Sequence, residues 1–120
     1  MVATNSQPNS WGSQIEKAKE KARKLLRKVV AVDMSTAILV GKLEEVSLDN
    51  LFRANYPFVK LTFSKTRKYN NLQKLEKALD EEQVCFVNKP QMILDIDELA
   101  KKYPSIHEDT HVEIKRGRFD

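Results

Sequence analysis

The chain has 120 residues, 41% hydrophobic and 32% charged, with a formal net charge of +4. That size holds one domain with its own core, and that balance excludes a disordered chain. A single cysteine, Cys85, excludes an intrachain disulfide and a cysteine-rich zinc site, and no stretch approaches the ~18 apolar residues of a membrane span.

Residues 1–12 (MVATNSQPNSWG) are polar and read as a flexible tail, leaving 13–120 as the domain. The tail has neither a basic n-region nor an apolar h-region, so a cytoplasmic location is expected. Trp11 is its one large apolar group, suited to fold back on the following helix or to meet a partner. Helical periodicity begins at Ser13 and runs to about Val32. Ile15, Ala18, Ala22, Leu25, Leu26 and Val29 recur at spacings that share one helix face. Ser13 and Glu16 have capping-box spacing, and Glu20 stands four residues before Lys24.

Val29–Val32 and Thr36–Val46 are rich in β-branched residues, with Asp33-Met34-Ser35 as a turn between them and Gly41 interrupting the second run. Residues 47–57 read as a connection. Phe58–Ser64 alternates strictly, with Val59, Leu61 and Phe63 on one face, and predicts a strand followed by a basic loop through Tyr69. Leu72, Leu75 and Leu79 predict a helix from Asn70 or Asn71 to about Glu82. Val84–Val87 reads as a buried strand, with Gln91–Leu94 as its hairpin partner after the Asn88-Lys89-Pro90 turn. Asp95 and Glu98 open a third helix that Pro104 stops, and Thr110–Phe119 reads as a closing strand with Val112 and Ile114 inward. The fold expected is α+β: a mostly antiparallel sheet of four or five strands, with the basic N-terminal helix and two others packed largely on one face.

Charge is distributed unevenly. Residues 1–70 carry thirteen Lys/Arg against six Asp/Glu, and residues 71–120 eight against eleven. A basic face and an acidic end suit a polyanionic partner. Three basic clusters are the candidate binding residues: Lys17, Lys21, Lys24 and Lys28 on the first helix; Lys65, Arg67 and Lys68 with Tyr69 after the clear strand; and Lys115, Arg116 and Arg118 beside Phe119. Lysine and arginine neutralise phosphates, and an adjacent aromatic can stack on a base. No RRM aromatic signature, KH loop or zinc finger accompanies them.

Other chemistry finds less support. His107 and His111 are four apart, with Glu108, Asp109 and Glu113 close by, but they follow Pro104 into the expected strand and lack the HExxH spacing, so they read as an exposed loop rather than a metal site. Glu113-Ile114-Lys115, preceded by Asp95 or Asp109, resembles the carboxylate and lysine core of restriction-type nucleases over those residues alone, which is too little to assign an activity. Gly12, Gly41 and Gly117 cannot build a phosphate-cradling loop, no G-x-S-x-G is present, and Cys85 between Val84 and Phe86 reads as a buried small hydrophobe. The reading is a small non-enzymatic cytoplasmic protein without cofactor or metal, contacting a polyanion, nucleic acid first, through its basic face. The alternative is a protein-interaction module or accessory subunit that uses the N-terminal helix or a sheet edge.

Overall fold

The computed structural model describes the backbone of residues 3–49 and 58–120 and the side chains of residues 13–48 and 58–120. In chain order the elements are α1 (Ala3–Lys24), β1 (Val29–Asp33), β2 (Ala37–Asp49), β3 (Phe58–Asn70), β4 (Leu75–Leu79), β5 (Gln83–Val87), a 3-10 turn (Pro90–Met92), β6 (Ile93–Leu94), α2 (Ile96–Lys102) and α3 (Pro104–Lys115). The α+β class is as expected, and the antiparallel sheet has six strands in the order β4-β3-β2-β1-β6, with β5 also on β3. No helix among the described residues is long and apolar enough to cross a membrane.

The long hairpin of β2 and β3 is the frame. Along its outer side β4 pairs with the second half of β3 and β5 with the first, Thr66 opposite Leu79 and Phe63 opposite Gln83. The two short strands are therefore one edge strand, interrupted at Asp80-Glu81-Glu82. The interruption lies opposite an irregularity in β3. Gly41 pairs with Thr66 but Leu43 with Phe63, so β3 has one extra residue there, and the next step, to Glu45 with Thr62, returns one to β2. A bulge inverts the alternation of a strand. Phe63 and Tyr69 are an even number of residues apart, yet Phe63 belongs to one core and Tyr69 to the other.

Those cores lie on opposite faces. Ile15, Ala18 and Ala22 of α1 bury against Val30, Val32, Leu39, Leu43, Val59, Leu61 and Phe63. On the other face Leu99 of α2, Ile106 of α3 and Phe119 bury against Ala31, Ile38, Val40 and Tyr69. The helices thus sandwich the sheet, where packing largely on one face was expected. The reason lies in β1 and β2, whose side chains are apolar on both faces, and a sheet buried on both faces needs two helical layers.

Other expectations are corrected. Helix α1 starts at Ala3, so Ser13 lies within it and caps nothing, and it ends at Lys24, where the chain turns through Arg27 (φ 69°) into β1. Residues 3–12, read as a tail, are backbone of α1, the side chain of Trp11 lies outside the described residues, and of the connection read over 47–57 residues 47–49 belong to β2 and the rest lies outside the described residues. The segment from Lys65 to Tyr69 is strand rather than loop. The leucine-spaced helix of residues 71–82 is instead a tight turn and β4: Gln73 takes φ 64°, the Asn70 side chain accepts from the N–H groups of Leu72 and Lys74 at 2.9 and 3.1 Å, and Leu72 is 73% exposed. Strand β5 pairs with β3, and β6 pairs with β1 rather than with β5. The closing strand is helix α3, in which Val112 and Ile114 face outward.

Helix α2 forms as its sequence foretells. Asp95 accepts from Glu98 N–H at 2.8 Å while Glu98 accepts from Asp95 N–H at 3.0 Å. Pro104 ends α2 but begins α3, where its missing N–H would have had no helical partner. Helix α3 closes in a Schellman motif around Gly117 (φ 70°): Arg118 N–H donates to Glu113 C=O and Gly117 N–H to Ile114 C=O, both at 3.0 Å. That reversal tucks Phe119 into the core and folds the chain end back over β3.

Candidate functional site

The bulge in β3 sorts its basic residues. Arg67 pairs with Val40 and Tyr69 with Ile38, on the face covered by α3, whereas Lys68 pairs with Leu39 on the face of α1. Arg67 lies under α3 in a polar network. Its guanidinium meets Asp109 at 3.0 Å and Glu113 at 3.4 Å and donates to the Tyr69 hydroxyl at 3.2 Å. The Tyr69 hydroxyl in turn donates to Asp109. Burial, reinforced by that hydrogen bond, pushes the Tyr69 phenol up to about 12. Burial alone would depress Arg67, but Tyr69 and Asp109 hold its pKa above the usual value. Glu113 is buried and is also approached by Arg116 at 3.7 Å and Arg118 at 3.8 Å. This network anchors α3 to β3, and Tyr69, 1% exposed, offers no face for a base to stack on.

The remaining candidates are separated by what they touch. Lys21 is tied down, donating to Glu98 at 3.0 Å and to the Pro90 carbonyl at 3.3 Å. Lys17 and Lys24 are exposed on the same helix, Lys28 is exposed in the turn that follows it, and Lys115, Arg116 and Arg118 are exposed at the end of α3. Lys65 is half-buried and reaches the Asp120 carbonyl at 2.6 Å.

Two clefts join these elements. The larger, about 460 Å³, is lined by Leu25, Lys28, Val29 and Ile96 with Ile114, and by Asp95 and Asp97 at its acidic side. It brings the end of α1 beside the last turn of α3, where Lys115 lies. The smaller, about 100 Å³, is lined by Lys65, Thr66, Arg67, Leu79 and Arg118 with Phe119, and brings the chain end beside β3. Lys42 lines neither cleft. It pairs with Val29, which packs on the α2–α3 side, so Lys42 projects from that same face. Lys28 thus lines the first cleft near the last turn of α3, and Lys65 and Arg118 line the second. Lys42 was not among the sequence candidates because it stands alone between Gly41 and Leu43; only cross-strand register reveals it. Among the described residues Lys24, Lys28, Lys42 and Lys115 make no ion pair.

The second group of buried charge is at the opposite end of β1. Asp33 accepts from the Tyr103 hydroxyl at 2.9 Å, Ser35 N–H at 2.9 Å and Lys102 at 2.6 Å. Burial pushes its carboxyl up, but those three donors together hold it below the usual carboxylate value. Cys85 is buried and its thiol is pushed up to about 11 by that burial. His107 and His111, expected in a loop, stack on one side of α3 with ring centroids 6.3 Å apart. Among the described residues no group of three or more His, Cys, Asp or Glu converges on a point where a metal could bind. The nuclease-like arrangement fails on geometry, since Glu113 and Lys115 lie two apart on a helix and point to different sides, Glu113 inward to the arginines and Lys115 to solvent. Set against known protein families, known proteins and solved structures, the chain matches none.

Proposed function

We propose that this protein binds a polyanion, nucleic acid first, through the band of Lys28, Lys42, Lys65, Lys115 and Arg118, as a non-enzymatic protein of the cytoplasm. What supports the reading is that single members of three basic clusters far apart in sequence line two clefts, Lys28 beside Ile114 in one and Lys65 and Arg67 with Arg118 in the other. Contiguous lysines without ion-pair partners are what counterion release requires, since a cation already neutralised by a carboxylate releases few ions when it meets a phosphate. By the same argument Lys21 and Arg67 contribute structure rather than affinity, and Arg118, beside Glu113 at 3.8 Å, contributes less than the lysines.

The test is a fluorescence-anisotropy titration with single- and double-stranded DNA and RNA at two salt concentrations. It compares the wild type with the variant K28Q/K42Q/K115Q. All three lysines are without ion-pair partners among the described residues, so the variant should fold normally. Each lost phosphate contact should lower the slope of log K against log salt by about 0.7–0.9, hence about 2–3 for the three. Wild-type protein that binds no nucleic acid in a salt-sensitive way would refute the reading. A second reading, an accessory subunit that pairs through a sheet edge, is favoured by the outer side of β5, which no described strand covers and where Val84 is 39% exposed.

A further inference from the structure

The outer edge of the sheet is made of two short strands with different side chains. Strand β4 carries Glu76 and Lys77, both exposed, and charges on an edge strand oppose pairing with another chain. Strand β5 reads Gln-Val-Cys-Phe-Val and has no charged residue. Its inner side pairs with β3, from Phe63 opposite Gln83 to Val59 opposite Val87, and no described strand takes its outer side. Cys85 and Val87 point into the α1 core, so Val84 and Phe86 lie on the other face, where the second core draws no side chain from β5. Charge gathers at the two ends of the strand and differs in sign. Asp80, Glu81 and Glu82 precede it and Lys89 follows it, with Lys60 opposite Phe86 one strand in. Asp80, Glu81, Glu82 and Lys89 are all exposed, and none has an ion-pair partner among the described residues.

We infer that β5 pairs with β5 of a second copy of this chain, antiparallel about a two-fold axis at Cys85. The inference rests on the sheet-edge reading and is independent of nucleic-acid binding. Three features select a second copy as the occupant. An antiparallel pair of identical strands sets opposite ends against each other, so the acidic end of each copy meets the Lys89 end of its partner, twice per dimer. Register is the second feature. Centred on Cys85, all five residues of both strands join the ladder, with Gln83 opposite Val87, Val84 opposite Phe86 and Cys85 opposite Cys85. Glu81 is then level with Lys89 where the ladder is extended beyond the strand. Moving the centre one residue, to Val84 or to Phe86, cuts the overlap and sets Glu82 opposite Phe86 or Gln83 opposite Lys89. The third feature is the face away from α1. There Val84 is 39% exposed, and the pairing places this β-branched side chain against an aromatic one at both ends of the two-fold, a favourable cross-strand pair. A ladder this short is a small interface, so the dimer is weak and forms with rising concentration.

The experiment is sedimentation velocity from about 10 μM to about 1 mM, the range a small interface requires, paired with amide hydrogen exchange at both ends of that range. It compares wild type with Val84→Lys, E81K/E82K and E81K/E82K/K89E. Val84→Lys puts a charge on the edge at an exposed site. The charge reversals lie outside the strand at exposed residues, so they keep the test decisive if a thermal melt shows Val84→Lys to be unfolded. Expected is a wild-type mass that rises toward two chains, with the outward amides of β5 exchanging fast when dilute and slowly when concentrated. Val84→Lys should stay monomeric. E81K/E82K should weaken self-association by about 2- to 30-fold, from one charge pair at each end of the two-fold, and adding K89E should restore it. Wild type that stays monomeric while its outward β5 amides exchange fast overturns self-pairing and leaves the edge to a different protein. Protection of every β5 amide in the dilute monomer means that the edge is already covered, and overturns the sheet-edge reading as well. A dimer indifferent to Val84→Lys and to the charge reversals uses another surface and overturns the inference.

Discussion

Gly41 is where the whole arrangement can be tested with one methyl group. A Cβ at this position would meet the Lys65 carbonyl oxygen at 2.7 Å, Thr66 Cγ2 at 2.9 Å and Phe63 Cδ1 at 3.2 Å. The first is backbone and the second belongs to a β-branched side chain with little rotamer freedom, so neither can swing aside. Alanine gains about 0.4–1 kcal/mol by restricting the unfolded chain. Overpacking a filled site costs about 1–3 kcal/mol, so Gly41→Ala should lose about 1–2 kcal/mol net. For a domain of this size that is a fall of roughly 3–10 °C in Tm. Thr66→Ser removes Cγ2 but leaves the Lys65 carbonyl, so the double variant should recover part of the loss. A double-mutant cycle on urea denaturation would measure that coupling. Gly41→Ala within 0.3 kcal/mol of wild type, with zero coupling to Thr66, would mean that β2 and β3 do not approach this closely at the bulge. The face assignments of Arg67 and Tyr69 would fall with it.

Leu61→Ala should cost about 2–5 kcal/mol in chemical denaturation because Leu61 is fully buried, whereas Leu75→Ala, on the exposed edge strand and 44% exposed, should cost less than about 1 kcal/mol. Tyr69 has a folded-state pKa above its unfolded value, so its contribution is complete below pH 10 and is lost as pH rises through about 12; the stability difference between wild type and Tyr69→Phe, read from urea melts, should shrink over that window. Asp33 has the opposite sign. Its folded-state pKa is lowered, so its contribution is present above pH 3.8 and is lost as pH falls through the lower folded value, and Asp33→Asn should remove that part of the acid-limb slope in melts between pH 5 and 2.

Short-range chemistry was legible in the sequence, and long-range pairing was not. The Asp95–Glu98 capping box, the inner stripe of Ile15, Ala18 and Ala22, and the alternation of Val59, Leu61 and Phe63 are each fixed by neighbours within a turn or two, and each stands in the structure. Leu72, Leu75 and Leu79 carry a helical period just as plainly, yet Gln73 turns the chain and β3 captures the segment as a strand. Ladder hydrogen bonds to an open edge outweigh a three-leucine stripe with nothing to pack against. The last segment shows the reverse error. Val112 and Ile114 alternate like a strand, but Pro104 at a helix start and Lys115-Arg116-Gly117 at a helix end are capping signals that frame α3.

For the candidate site the identities of the basic residues were legible and their roles were not. Lys65, Arg67 and Lys68 look equivalent in one dimension. One extra residue in β3 turns Arg67 inward to Asp109 and Glu113 and leaves Lys68 on the opposite face, while the Schellman turn at Gly117 returns Arg118 to Lys65. A cation's availability is set by whether a carboxylate reaches it first, and that is decided by register. Lys42 reaches the face of Lys28 through another ladder, opposite Val29 of β1, from a position with no basic neighbour in sequence. Without the extra residue in β3, Arg67 and Lys68 would exchange faces relative to the Phe58–Phe63 half of the strand. Which cation of the Lys65–Tyr69 segment is buried under α3 and which faces α1 is therefore decided at a single irregularity in one ladder.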